Sequence, residues 1–287
     1  MKQTSSQAPL SELLRVPAGP VRIAELDARA TPGFPGGGKK DAARARAAVE
    51  ADLSECQELL FANGRSDPDH APRVLLVLQG MDTAGKGGVI RHAIGLVDPQ
   101  GVHIRSFKAP TAEERAHHYL WRIERALPMP GMIGIFDRSH YEDVLVVRVE
   151  ELAPGDELER RYDQINAFEA FLTEQGYTII KCFLHVSADE QKERLAARLE
   201  RSEKYWKYNP GDLRARSKWD AYTEAYETAL ERCNTEIAPW YAIPSDRKWY
   251  RNWAVAELLR EKLAGLQLAW PPADFDVAEQ QRLVAEV

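Results

Sequence analysis

The sequence predicts an α/β fold three layers deep, with helices on both faces of a mainly parallel, five-stranded sheet. Three observations predict it. Short apolar runs alternate along the chain with segments of helical periodicity, the pattern of parallel strands joined by crossover helices. A glycine-rich loop, Gly80-Met-Asp-Thr-Ala-Gly-Lys-Gly-Gly88, falls between the first apolar run and the helix after it. The composition, 44% hydrophobic and 29% charged over 287 residues, excludes a largely disordered, collagen-like or membrane-embedded chain.

The elements follow in order. Residues 1–39 read as an N-terminal arm, because Pro17, Pro20, Pro32, Pro35 and Gly36-Gly37-Gly38 disfavour both helix and strand. A helix is predicted from Lys39 to about Asn63, where Val49, Leu53, Cys56 and Leu60 recur every three or four residues. Arg73–Gln79 reads as a buried strand, followed by the glycine loop and a helix to about Val97. His103–Lys108 is the second strand. Thr111 and Glu114 have capping-box spacing, for a helix through Ala126. Met132–Asp137 is the third strand, Leu158–Glu174 a helix and Thr178–Val186 the fourth strand. A helix over Ala188–Arg201 leads into a polar, basic segment, Ser202–Lys218, and a helix to Cys233. Trp240–Ile243 is the fifth strand, and a last helix spans Asp246–Leu266. The organisation is thus an arm (1–39), one domain (40–270) with a helical lid at about 190–218, and a tail (271–287).

The glycine loop carries the chemistry. G-x-x-x-x-G-K between a strand and a helix is the context of a phosphate-binding P-loop, the Walker A motif. Gly80, Gly85, Gly87 and Gly88 let backbone N–H groups approach phosphate oxygens, the helix N-terminus adds its dipole, and Lys86 adds charge. Gly87 stands where a Ser or Thr usually holds Mg²⁺, so another ligand must compensate, and Asp82 is the candidate. Ile133-Gly-Ile-Phe-Asp137 resembles a Walker B strand, whose carboxylate sits at the carboxyl end of the sheet beside the P-loop. Asp82 and Asp137 together suit Mg²⁺, a hard cation, and Arg138 faces the same crevice.

Between Arg201 and Lys218 six basic residues, among them Lys204 and Lys207, face two acidic ones, in a chain whose net charge is −6. Arg194 and Arg198 lie one turn apart just upstream. As a group they suit a polyanion; singly, each is equally at home on a solvated helix face. Trp219, Tyr222 and Tyr226, at i, i+3 and i+7, read as a packed helix face before a base-stacking platform.

The acidic balance disfavours a nucleic-acid coat. Cys56, Cys182 and Cys233 form no paired motif and suit a reducing cytoplasm. The start, MKQTSSQAPLSELL, has no apolar signal core, and no run is long enough to span a membrane. No nucleophile elbow is present; a phosphohistidine at His140 would be the covalent alternative.

The segments GMDTAGKGG (80–88), SFKAP (106–110), FDRSHYEDVLVVRV (136–149), KYWKYNPGDL (204–213) and PWYAIPSDRKWYRNW (239–253) together resemble the polyphosphate kinase 2 family, over roughly residues 40–270. The resemblance implies a P-loop kinase fold like that of thymidylate and adenylate kinases. It implies reversible phosphoryl transfer between inorganic polyphosphate and adenine or guanine nucleotides, with Mg²⁺, or Mn²⁺ in its place. It implies that Lys86 and the P-loop glycines bind phosphate, and that Asp82 and Asp137 are the metal-linked carboxylates. By the same resemblance Arg138 and a lid arginine, Arg198, contact the transferring group, and Arg91 and Lys108 line the polyphosphate path. Met81 and SHYED (139–143) look most like the class III subgroup, which phosphorylates both nucleoside mono- and diphosphates. Family members commonly form homo-oligomers, so one is expected here. The main rival is an ATP-dependent nucleoside monophosphate or small-molecule kinase on the same fold. A GTPase lacks its guanine-reading motif, and a non-catalytic polyphosphate sensor would not need the paired carboxylates.

Overall fold

The computed structural model of the chain describes residues 8–287. Five strands form one parallel sheet in the order β2-β3-β1-β4-β5: β1 (Arg73–Gln79), β2 (Val102–Ser106), β3 (Ile133–Asp137), β4 (Tyr177–His185) and β5 (Trp240–Pro244). β1 is central, and Leu78 lies opposite Asp137 on one side and Cys182 on the other. Val74–Leu78 are all buried, as expected of a parallel strand covered on both faces.

Strand residues alternate between two cores. Val74, Leu76, Leu78, Ile133, Ile135, Ile180, Cys182, Leu184 and Ile243 face α1 (Leu10–Leu14), α2 (Ala42–Ser66), α3 (Lys86–His92) and α11 (Lys248–Ala264). Leu75, Val77, Phe136, Ile179, Phe183 and Trp240 face the opposite layer. There lie α4 (Ala112–Arg115), α5 (Trp121–Glu124), α6 (Glu142–Val149), α7 (Gly155–Glu174) and α10 (Trp219–Arg232). Each fully buried Val, Leu, Ile or Phe contributes about 1.5–3 kcal/mol. α8 (Ala188–Leu199), a 3₁₀ turn at Ser202–Lys207 and α9 (Gly211–Ser217) span the segment expected as a lid, and α12 (Val277–Ala285) ends the chain on the surface.

Two expectations need correction. The arm is neither unstructured nor detached. Leu10, Leu14, Val16, Val21 and Ile23 are buried, α1 is helical, and Val16 N–H donates to the Trp240 carbonyl at 2.9 Å beside an antiparallel Arg15–Tyr241 bridge. The prolines punctuate the segment, but apolar side chains between them dock it along the β5 edge, which also shields that edge. Residues 1–7 of the arm lie outside the described residues. The helix from Thr111 is broken: its capping box is present, but the chain leaves α4 at Ala116 and re-enters a helical turn at Trp121. A capping box specifies only the first turn. Glu142–Val149, for which the sequence predicts no element, is a helix.

Candidate active site

β1 delivers the chain to the carboxyl edge of the sheet, and the turn into α3 needs glycine where it bends. Gly80 (φ 149°) and Gly85 (φ 112°) hold backbone conformations that L side chains rarely adopt. A Cβ at Gly85 would overlap the Arg251 guanidinium. Gly87, by contrast, faces open space.

The loop is braced from behind by two buried arginines. Arg194 of α8 donates to the carbonyls of Thr83 (2.9 Å) and Ala84 (3.2 Å), and also to those of Ser245 (2.6 Å) and Asp246 (3.0 Å). Arg251 of α11 donates to the Ala84 carbonyl at 2.9 Å. Burial, and then the nearby Arg194 charge, pull Arg251 down to about 9. Gln191 donates to the Asp82 carbonyl at 3.1 Å, and Gly80 N–H donates to the Tyr226 hydroxyl at 3.1 Å. The Gly80, Ala84 and Gly88 N–H groups are bonded within the fold, so it is the loop's other N–H groups that are left to meet anions.

Lys86 is buried, and its ammonium donates to the Gly80 carbonyl at 2.8 Å. Burial and the Arg138 charge lower its pKa, against Asp82, Asp137 and Glu142, which raise it. Arg138 holds a left-handed backbone (φ 65°) after β3 and donates to Asp82 Oδ1 at 3.0 Å and to Glu142 Oε2 at 3.3 Å. Glu142 and Asp82 outweigh its partial burial and raise its pKa. Asp137 Oδ2 accepts from Ser106 at 3.3 Å. The sequence-expected Asp82, Lys86, Asp137 and Arg138 therefore converge on one spot with Gly80 and Gly85.

Beside that spot lies a pocket lined by Met81, Asp82, Arg138, Leu145, Trp219 and Tyr222. The aromatic face of α10 packs as expected, with Tyr226 buried, but its Trp219 and Tyr222 also wall this pocket. Burial, with Glu150 and Glu142, raises Tyr222 to about 12, so its hydroxyl keeps its proton.

Other expected residues lie further out. Arg91 is exposed at the end of α3, and Lys108 is exposed, its carbonyl accepting from Arg122 at 2.9 Å. Arg198 is tied to Asp212 Oδ2 at 3.1 Å and to the Lys207 carbonyl at 2.8 Å. Burial and the Asp82 charge raise the Asp212 pKa, so this lid pair shares the field of the central cluster. The Lys207 ammonium sits 4.9 Å from the Trp206 ring centroid, and Lys204 belongs to the same turn. Arg216 and Lys218 are engaged with Gln191 and Glu150 at 2.8 and 2.7 Å. His140 is fully buried, with Nε2 3.2 Å from Glu169 Oε1, so no phosphoryl group reaches it.

Among the described residues no group of three or more His, Cys, Asp or Glu side chains could hold a metal ion. The pair Asp82 and Asp137 still fits Mg²⁺, which characteristically takes one or two carboxylates and draws its remaining ligands from phosphates and water. The braces Arg194, Arg251 and Gln191 act on backbone carbonyls, a role that leaves no sequence motif.

The chain matches the family model described as polyphosphate kinase 2 over residues 39–268. It is 47% identical over 255 residues to an AMP/ADP-polyphosphate phosphotransferase of Meiothermus ruber, covering 89% of this chain and 93% of that one. It is 43% identical over 231 residues to an ADP-polyphosphate phosphotransferase of Rhodopseudomonas palustris, covering 76% and 78%. Its structure superposes on the crystal structure of polyphosphate kinase 2 from Arthrobacter aurescens with a TM-score of 0.93 at 52% identity, covering 98% of each chain.

Proposed function

Because the chain belongs to the polyphosphate kinase 2 family, we propose that the cluster of Lys86, Asp82, Asp137 and Arg138 is its phosphoryl-transfer centre. The chain is a phosphotransferase that moves a phosphoryl group between inorganic polyphosphate and adenine nucleotides. The observation that supports the site is the convergence of a buried P-loop lysine with the Asp82–Arg138 pair, 3.0 Å apart, at the mouth of an aromatic-walled pocket.

Phosphoryl transfer asks a protein for alignment and charge stabilisation more than for covalent chemistry. The attacking oxygen belongs to a terminal nucleotide phosphate that is already ionised, so no strong base is required. The P-loop N–H groups and Lys86 hold the donor phosphates. Arg138, set between Asp82 and Glu142, faces the group in flight. Arg198 joins it from the lid once released from Asp212. Lys204, Lys207, Arg91 and Lys108 guide the rest of the polyanion. Asp82 and Asp137 would hold Mg²⁺, or Mn²⁺ in its place, which when bound neutralises charge on the phosphates. The pocket between Met81, Trp219 and Tyr222 takes the acceptor, and transfer runs in line with no enzyme-bound phosphate. The reading extends to guanine nucleotides, to AMP beside ADP as in the class III subgroup, to a homo-oligomer without nucleic-acid or membrane partners, and to the cytoplasm, which suits three free cysteines. No described helix is long and apolar enough to cross a membrane.

The test is ATP formation from ADP, polyphosphate and Mg²⁺, with AMP and GDP in parallel and ATP as an alternative donor to AMP. Product from both AMP and ADP, lost on chelation of the metal, is expected. Transfer from ATP but not from polyphosphate would favour the nucleotide-donor kinase instead.

A further inference from the structure

A charged pair is buried where no substrate reaches. Lys181 sits mid-strand in β4, on the face where Ile179 and Phe183 pack against α7 and α10, and it is 0% exposed. Its ammonium donates to Glu169 Oε2 (2.6 Å), to the Tyr141 hydroxyl (2.9 Å) and to the Cys233 carbonyl (2.6 Å). Glu169 of α7, equally buried, accepts from Tyr141 at 2.8 Å and lies 3.2 Å from His140 Nε2. Burial alone would raise the Glu169 pKa, but Lys181 and His140 prevail and keep it low. Such a pair is a poor device for stability, since packed apolar residues of equal volume usually do as well.

Its partners suggest another role. Cys233 caps the C-terminus of α10, where a cation meets the favourable end of the helix dipole. The same helix carries Trp219, Tyr222 and Tyr226. His140 and Tyr141 belong to the turn that begins with Arg138, whose left-handed backbone must be held by its surroundings. Ser139, in that turn, accepts from Tyr141 N–H (3.2 Å) and from the Gln79 amide (3.3 Å), at the foot of the P-loop. Lys181 therefore joins the Arg138 turn to the helix that walls the acceptor pocket.

We propose that Lys181 and Glu169 are positioning residues that hold Arg138 and the α10 wall in the register phosphoryl transfer requires. The inference rests on the transfer role given above to Arg138. The test is the double variant Glu169→Gln/Lys181→Met, which removes both charges together and leaves an acceptor for Tyr141 and His140. Its Tm should stay within a few degrees of wild type, while kcat falls about tenfold to a hundredfold, the scale of a small misalignment. KM for ADP should rise by a smaller factor than kcat falls, because the α10 wall moves with the turn while the loss at Arg138 is felt in the transition state. Amide exchange at residues 138–141 should quicken relative to β1. A folded double variant with wild-type kcat and unchanged exchange would overturn the proposal. Should it not fold, Tyr141→Phe deletes one hydroxyl from the same network. A severalfold fall in kcat, larger than any rise in KM, is then expected, and an unchanged kcat would overturn it. If wild type itself transfers nothing, the role given to Arg138 fails, and the exchange readout alone decides whether the pair orders the turn.

Discussion

The P-loop and the lid bring positive charge to the same place by opposite means. Around the P-loop the cations are buried and already bonded: Lys86 to Gly80, Arg194 of α8 to four carbonyls, Arg251 of α11 to Ala84. The segment expected as a lid runs from the end of α8 through a 3₁₀ turn and a seven-residue helix, with Trp206 79% exposed and Arg198 held by one half-buried carboxylate and one carbonyl. Buried, multiply bonded segments open rarely, and exposed ones with few bonds open often. The difference teaches that one site can divide its labour. The cradle is made rigid by spending cations on its own backbone. In the expected lid, Arg198, Arg216 and Lys218 are tied to side chains and carbonyls of the protein, and Lys204 and Lys207, on the exposed turn, are the cations proposed to meet the polyanion.

Four changes break or sharpen this contrast. The largest effect is expected from Lys86→Ala. In the proposed role its ammonium meets the phosphates directly, so kcat for ATP formation from ADP should fall about a hundredfold or more with the Tm nearly unchanged, a loss of roughly 3 kcal/mol in transition-state stabilisation. Gly85→Ala should damage the cradle itself, because its Cβ would overlap Arg251 at φ 112°. Roughly 2–4 kcal/mol of stability should go, seen as a lower urea midpoint, and activity should go with it. In the lid, Asp212→Asn should act the other way. It loosens Arg198 and removes an anion from the proposed polyphosphate path, so KM for polyphosphate should drop about threefold, while stability moves by less than ~1 kcal/mol. The smallest effect is expected from Gly87→Ala, which enters open space in a helix and should raise stability by about 0.5–1 kcal/mol.

The arm offers a contrast that pH can read. His185 Nε2 lies 2.9 Å from the Leu26 carbonyl, and burial lowers the His185 pKa against Leu26, Asp246 and Asp27, which raise it. A histidine whose folded pKa lies below its unfolded value of about 6.5 binds more protons unfolded. The stability it confers is complete above about pH 6.5 and is lost as pH falls through the lowered value. Acid should therefore loosen the arm from β4, and proteolysis near residues 24–30 should quicken below pH 6 in wild type but not in His185→Gln.

Much of this was legible in the sequence because burial on both faces leaves a plain signal. All five strands appear within about two residues of their expected bounds, and Asp82, Lys86, Asp137 and Arg138 meet where the strand–loop–helix context implied. What stayed hidden depends on packing. The arm's Leu10, Leu14 and Val16 are too few to outweigh its prolines until β5 is there to receive them. Helix α6 hides in a β-branched run because its register is set by the turn before it. Arg194 reads as a substrate-facing partner of Arg198, one turn away, yet it is consumed by backbone carbonyls that no motif marks. Lys181 did leave a trace: it is the lone charge in the apolar run Tyr177–Leu184, where only a buried partner makes a lysine tolerable.

A ready cradle and a lid that completes it are told apart most directly by hydrogen–deuterium exchange, on the free protein and on the protein with ADP, Mg²⁺ and polyphosphate. Amides of residues 80–92 should already be slow in the free protein and change little, while those of 198–218 should start fast and become protected. A P-loop that exchanges fast until the substrates arrive, with a lid that does not respond to them, would contradict the division of labour between the two.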